Sequence, residues 1–257
     1  MAQLLLAEVL QNSNAHRYLK GQGMRRDKTY YEILALMTLR QSWTGYTPNF
    51  IKSEKPDWIN LVDSIGIEVC RAIPPRAGRT ENFFSMYHGK AKEEIPEKAL
   101  ERFEGWTYFQ DGKLRAIADG KGLADTSSYY QNLIMQFYEK LNKFDNYQRF
   151  SKNCFYFFLH FPFKDEDIQK AVIKLKSIKH RNTAYISNIF IDTNEYLYIL
   201  DDLMSVDQRI FLEHNHLSRN IKYSLELAER MSSKKTLWDF EVELERFTSL
   251  KQISHKL

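Results

Sequence analysis

The feature that most constrains the fold is the run CFYFFLHFP at residues 154–162. It is almost continuously apolar and of strand length, and such runs are typical of strands buried on both faces of a sheet. The stretches TYYEILALMTLRQSW from Thr29 and TSSYYQNLIMQFYEKLNKFDNY at 126–147 have helical periodicity. The order helix, strand hairpin, helix, buried strand predicts an α/β core with an insertion.

The 257 residues suit one domain. We expect its core at 29–73 and 126–200, and an inserted lobe of α+β character at about 74–125. Within the lobe, PPRAGRT reads as a basic loop, EEIPEKALERFEG as a helix, and GWTYFQDGKLRAIAD as a hairpin around Asp111-Gly112. Helices are expected at 2–20 and 165–180, and strands in AYISNIFID and EYLYILDD. A C-terminal helical region is expected from about 205 to 257.

Composition and the pattern of apolar runs indicate the cellular location and the kind of partner. The net charge of +4 is mildly basic, which is compatible with a polyanionic partner. Cys70 and Cys154 lie far apart without metal-ligand spacing and fit a reducing interior. The start, MAQLLLAEVLQN, has no basic segment before its short apolar run and is not expected to be a signal peptide. No apolar run reaches the length of a membrane span. We expect a cytoplasmic protein without a membrane partner.

Two acidic residues stand out in EKPDWINLVDSIGIEVCRA at 54–72. If Asp63-Ser64 form a two-residue hairpin loop, Asp57 pairs with Cys70 and becomes a diagonal neighbour of Glu68 on the same face, roughly 7–8 Å away. Carboxylates so placed can share a divalent cation such as Mg²⁺. The alternative is that this face is exposed and that its acids only confer solubility.

The same residues resemble a known motif. PDW, ten further residues between Asp57 and Glu68, and then GIEVCRA are similar to the PD-(D/E)xK nuclease superfamily. More narrowly they resemble bacterial and phage nuclease-like proteins that read "PDF…IGIEVT.A". The resemblance implies a restriction-endonuclease-like core of helix, three strands, helix and strand, with helices flanking a central mixed sheet. It also implies a metal-dependent nuclease acting on nucleic acid, DNA rather than RNA, with Asp57 and Glu68 as ligands of Mg²⁺ or Mn²⁺. Restriction or phage defence is the implied setting, and a homodimer or partner subunit the implied assembly.

Cys70 stands where the superfamily motif has a lysine, and a thiol cannot take over that lysine's charge. Either the lysine has moved to another element, or the domain is inactive and binds nucleic acid or a partner protein. In the superfamily the second helix often supplies a glutamine and a relocated lysine or tyrosine, which makes Gln136 and Lys140 the candidates. Lys140 flanks the apolar stripe of its helix. The alternative for Lys140 is a lysine whose stem covers the core margin.

Glu32 in the first helix matches, by resemblance, an additional metal-binding or water-positioning acid. Its alternative is a capping box in which Glu32 bonds back to the backbone of Thr29. Arg71, Arg76 and Arg79 follow the candidate strand and are the residue type that contacts phosphates, which makes them candidates for nucleic-acid binding. The alternative for the three arginines is an ordinary solvated loop.

Overall fold

The computed structural model describes residues 28–117, 126–159, 163–193, 195–201, 205–231 and 239–246. The helix expected at 2–20 lies outside these residues. The described residues divide into two compact units, one within residues 73–128 and the other within residues 28–72 and 129–246. None of the helices in the described ranges combines the length and apolarity needed to cross a bilayer.

The elements are numbered here in chain order. The strands are β1 (Ile51–Lys52), β2 (Trp58–Asn60), β3 (Ile65–Arg71), β4 (Thr107–Gln110), β5 (Lys113–Ile117), β6 (Lys152–Phe158), β7 (Ile186–Asp192), β8 (Tyr196–Asp201) and β9 (Ser205–Phe211). The α-helices are α1 (Lys28–Ser42), α2 (Pro75–Tyr87), α3 (Glu97–Glu101), α4 (Thr126–Lys143), α5 (Asp165–Lys176) and α6 (His214–Met231).

The larger unit is built on a mixed sheet. In the described part of the chain seven strands pair in the order β1-β2-β3-β6-β7-β8-β9. Strand β6 runs parallel to both β3 and β7, whereas the pairs on either side of these three strands are antiparallel. Because parallel neighbours need a crossover, α4 and α5 connect these central strands. The predicted α/β class with a central mixed sheet is confirmed.

Strand β6 explains why the sheet carries helices on both faces. Phe155 and Phe157 belong to a buried cluster with residues of α4 and α5. On the opposite face, the Phe158 ring lies 5.5 Å from the ring of Tyr31 on α1. All of α1 from Tyr30 to Leu39 is buried, as expected of a helix that is apolar around most of its circumference. The expectation that the apolar run is buried on both faces is therefore confirmed for its described residues, 154–159.

The smaller unit has its own small core of Phe83, Ile95, Leu114 and Ile117. Its β4–β5 pair turns at Asp111 and Gly112, whose φ angles of 53° and 69° suit a tight hairpin turn that matches strand twist. The predicted hairpin is confirmed. Around Pro96, the expected helix is reduced to a 3₁₀ turn at Lys92–Glu94 and the short α3, because proline interrupts the helical hydrogen bonds.

Two segments differ from the sequence predictions. PPRAGRT is not a loop: Pro75 lies in the first turn of α2, where its fixed φ and missing N–H suit a helix start. Residues 205–211 do not begin the C-terminal helix but form β9, which pairs antiparallel with β8. Its β-branched Val206 and Ile210 suit a strand, and the helix begins only at His214.

Candidate active site

The hairpin of β2 and β3 brings the two motif acids together. Its loop comprises the four residues 61–64, so that Trp58 pairs with Ile67 and Asn60 with Ile65. The predicted two-residue loop and its register are therefore wrong. The observed register differs from the predicted one by an even number of positions. Since side chains alternate between the faces of a strand, each residue stays on its predicted face. Continued by one residue, the observed register sets Asp57 directly opposite Glu68 rather than diagonal to it.

Asn60 is the reason for the longer loop. Its side-chain oxygen accepts the backbone N–H groups of Val62 and Asp63, both at 3.0 Å. Such local side-chain bonds compete with strand pairing and favour a turn. Ser64 takes a positive φ of 53° to close this turn. The hydrogen-bonding capacity of Asn60 thus ends β2 earlier than the apolar pattern indicated.

Asp57 is fully buried at the start of β2. Its Oδ2 accepts the backbone N–H of Val69 at 2.8 Å, which ties it to β3. Its Oδ1 lies 2.7 Å from Nζ of Lys28, whose side chain is 68% exposed. One carboxylate oxygen is therefore held by the fold, and the other by a lysine at the surface.

Glu32 of α1 joins this group from the helix side. Its carboxylate lies 3.1 Å from Nζ of both Lys28 and Lys52. Burial, followed by the nearby charge of Asp57, raises the Glu32 pKa to about 7. The capping-box interpretation is wrong, because α1 begins at Lys28 and Thr29 lies inside it. Glu32 instead contributes a second buried carboxylate beside Asp57.

Glu68 receives its partners from α4 and the turn that follows. Nζ of Lys140 forms an ion pair with Oε1 of Glu68, and the hydroxyl of Tyr147 donates to the same oxygen at 3.1 Å. Oε2 of Glu68 is buried without a hydrogen-bond donor among the described residues. Burial, and then the charge of Asp57, raises the Glu68 pKa. A buried acceptor without a donor is costly, and it is the one open position of this carboxylate.

Lys140 is charged despite its surroundings. Its side chain is 17% exposed, and burial alone would lower its pKa. The carboxylate of Glu68 opposes this effect, and the Lys140 pKa is raised overall. The structure thus brings a lysine of α4 to Glu68, the motif carboxylate that has no lysine two positions further along its strand.

Cys70 and Gln136 contact each other on the same side of β3. The thiol of Cys70 donates to Oε1 of Gln136 at 3.3 Å. Burial raises the Cys70 pKa to about 11, so the group in the motif-lysine position is a neutral thiol at physiological pH. Gln136 therefore contacts Cys70, which lies on β3 and neighbours the two acids.

The three candidate arginines are divided between the two units, with Arg71 in the unit of the acids and Arg76 and Arg79 in the smaller unit. Arg71 points away from the Glu68 face, since neighbouring residues of a strand alternate, and its guanidinium lies 4.2 Å from the centre of the Tyr31 ring. Arg79 is exposed on α2 of the smaller unit. The side chain of Arg76 lies outside the described parts of the structure.

The donor set fits a hard divalent cation with few protein ligands. The described ranges contain no group of three or more His, Cys, Asp or Glu side chains that could hold a metal. Mg²⁺, however, is commonly held by one or two carboxylates together with water and substrate phosphates. Asp57 and Glu68 are two such carboxylates, and the donor-free Oε2 of Glu68 is an available ligand atom.

Lys28, Lys52 and Tyr147 were not among the predicted site residues. Lys28 precedes Glu32 by four positions, a spacing that pairs charges on a helix. Tyr147 ends the stretch 126–147, whose helical periodicity assigned it no role in a site. Lys52 carried no such signal, because its approach to Glu32 depends on the pairing of β1 with β2.

Comparisons with known proteins give no family for this chain. No protein-family model, no curated protein and no solved structure matches it. What the site does must therefore be inferred from its own residues.

Proposed function

We propose that the protein is a metal-dependent nuclease of the PD-(D/E)xK type, which hydrolyses phosphodiester bonds of nucleic acid, DNA rather than RNA. One observation carries the proposal. Lys140 reaches Glu68, the carboxylate opposite Asp57, and so supplies the charge that Cys70 cannot. Two acids and a lysine are the chemistry that this motif requires.

The order of the elements supports the restriction-endonuclease-like core. Helix α1 is followed by the antiparallel strands β1, β2 and β3, and then by α4 and β6, which runs parallel to β3. That is the expected succession of helix, three strands, helix and strand, if the segment between β3 and α4 is an insertion. The acids lie on β3 and immediately before β2, where the motif requires them.

The roles follow from the contacts. Asp57 and Glu68 would hold Mg²⁺ or Mn²⁺, which when bound lowers the pKa of water and stabilises charge on the phosphate. The ammonium group of Lys140 stabilises the negative charge that develops on the phosphate in the transition state. Tyr147 fixes the orientation of Glu68 through its hydrogen bond. Glu32 and Lys52 hold the other side of the site, next to Asp57.

Metal-dependent cleavage tests the proposal. DNA and RNA are incubated with the purified protein in Mg²⁺, in Mn²⁺ and in chelator. The substitutions Asp57→Asn, Glu68→Gln and Lys140→Met are each expected to lower the rate by about 100-fold or more. Lys143→Met is the matched control for Lys140, since Lys143 is exposed on the same helix, and should cleave normally. Cleavage that persists in chelator, or in both acid variants, contradicts the mechanism.

A second candidate is a catalytically inactive domain of the same fold that binds nucleic acid or a partner protein. It is favoured by the lysines already paired with both acids, Lys28 with Asp57 and Lys140 with Glu68. Such pairs can neutralise the carboxylates without a cation. Nucleic-acid binding without cleavage by the wild type, in Mg²⁺ and in Mn²⁺, would select this candidate over the nuclease.

A further inference from the structure

The turn that follows α4 joins the candidate site to an exposed group of arginine and tyrosine side chains. Tyr147, which donates to Glu68, directly follows the 3₁₀ turn Phe144–Asn146. Arg149 is two residues further on, so its Cα lies within about 7 Å of that of Tyr147. This segment therefore leads from the buried carboxylate to the surface.

Two arginines at this surface share a single carboxylate. Asp145 accepts Arg149 Nη2 at 3.3 Å on Oδ1 and an Nη2 of Arg181 on Oδ2. The side chains of Arg149 and Arg181 are 50% and 78% exposed. One negative charge faces two positive ones, which leaves an excess positive charge. Each guanidinium has several N–H donors, and one is used in each of these pairs.

Two aromatic rings beneath the guanidinium group of Arg149 fix the orientation of this group. Its guanidinium lies 4.6 Å from the ring centre of Tyr185 and 5.9 Å from that of Phe144. The two rings are nearly parallel, at 16°, with centres 6.3 Å apart. Stacking on a ring leaves the edge of the guanidinium and its N–H groups free to point outward. An arginine held in this way loses little conformational entropy on binding an anion.

We propose that Arg149 and Arg181 bind the phosphodiester backbone of the nucleic-acid strand whose scissile phosphate lies at Glu68. The inference rests on the proposed function and names the substrate-binding residues for it. Guanidinium groups bind phosphate oxygens through paired hydrogen bonds, and successive base pairs rise about 3.4 Å along a strand. A strand seated at Glu68 therefore presents its next phosphates to Arg149. Neither arginine belonged to the set predicted from the sequence.

Binding is measured apart from cleavage. The fluorescence anisotropy of a labelled DNA duplex is followed in chelator at several salt concentrations, for the wild type and for Arg149→Ala with Arg181→Ala. Each phosphate contact contributes about 0.9 to the slope of log affinity against log salt concentration. The double alanine variant should therefore show a slope that is smaller by about two such contributions, and it should bind at least about 10-fold more weakly. Arg149→Lys with Arg181→Lys keeps both charges and should keep most of the slope.

Arg40→Ala is the matched control, since Arg40 is 49% exposed and also paired with a carboxylate, that of Glu241 at 3.1 Å. It should bind like the wild type. An unchanged affinity and salt slope in the double alanine variant overturns the inference, even if the wild type cleaves DNA. Loss of binding in that variant, with a wild type that binds but never cleaves, supports the interface and contradicts the nuclease. A wild type that does not bind DNA overturns the inference as well.

Discussion

Replacing Lys140 by methionine isolates the one charge on which the candidate site depends. Methionine keeps much of the apolar stem but lacks the ammonium group. Glu68 would retain only the hydroxyl of Tyr147 on Oε1, and Oε2 has no donor among the residues described. Removing one member of a buried ion pair typically costs about 3–5 kcal/mol of the free energy of unfolding. With side chains only 17% and 6% exposed, the Lys140–Glu68 pair belongs to that class rather than to surface pairs.

The free energy of unfolding lost in Lys140→Met should depend on pH in a defined direction. The Glu68 pKa is already raised by burial and by Asp57, and Lys140 opposes that rise. Lys140→Met therefore raises the Glu68 pKa further. A carboxyl whose pKa is raised in the folded protein favours folding when it is protonated. Its contribution to stability is therefore lost as the pH rises above its pKa in the unfolded chain. The destabilisation caused by Lys140→Met should be largest at alkaline pH and smaller at a pH of about 5.

Urea unfolding followed by tryptophan fluorescence measures these differences. Glu68→Gln removes the charge that Lys140 balances, so adding Lys140→Met to it should cost much less than Lys140→Met alone. Lys143→Met, an exposed change on the same helix, should alter the free energy of unfolding by less than about 0.5 kcal/mol. If Lys140→Met is no more harmful than Lys143→Met, or if its cost is undiminished beside Glu68→Gln, Lys140 does not compensate Glu68.

Three further predictions concern neighbouring groups. Glu32→Gln should stabilise the protein by about 3 kcal/mol at a pH of about 8. The rise of the Glu32 pKa from 4.5 to about 7 costs folding about 1.4 kcal/mol per pH unit once the carboxyl is charged. In urea titrations the gain should vanish below a pH of 4.5, and a gain independent of pH would contradict this reasoning. Tyr147→Phe should lower the free energy of unfolding by about 1.5 kcal/mol through the lost bond to Glu68, and an unchanged urea midpoint would refute it. Cys70→Lys should restore part of the cleavage lost in Lys140→Met, whereas the double variant staying as inactive as Lys140→Met would show that the two positions are not equivalent.

The sequence predicted the sheet core well because its signals were local. The apolar run of β6 and the helical period of α1 each determine their own burial, and neither depends on a distant partner. The hairpin register was different. It depended on how Asn60 bonds to the two N–H groups that follow, and hydrophobic alternation contains no information on that choice. Because the error was even, Asp57 and Glu68 still share a face.

The charged partners of the site likewise include one residue that could be predicted and others that could not. Lys140 became a candidate because the resemblance implied a lysine from this helix, and the edge of the amphipathic stripe pointed to this position. Lys52 and Lys28 were missed, since which carboxylate each lysine reaches is decided by tertiary packing of β1 and α1 on β2. The contacts of Arg71 were missed for a related reason: alternation along β3 sends it to the Tyr31 side, away from Glu68.

The proposed move of the motif lysine from the strand to the helix agrees with the low exposure of Cys70 and Lys140. Cys70 lies on the Glu68 side of β3, where α4 covers the strand and Gln136 accepts the thiol hydrogen. A second ammonium group there would lie close to that of Lys140, and two like charges cannot both be balanced by one carboxylate at low cost. A neutral thiol on the strand and a charged lysine on the helix leave a single positive charge at Glu68. The neutral thiol of Cys70 and the charged Lys140 are therefore best understood as one arrangement, and the proposed nuclease activity would depend on both residues together.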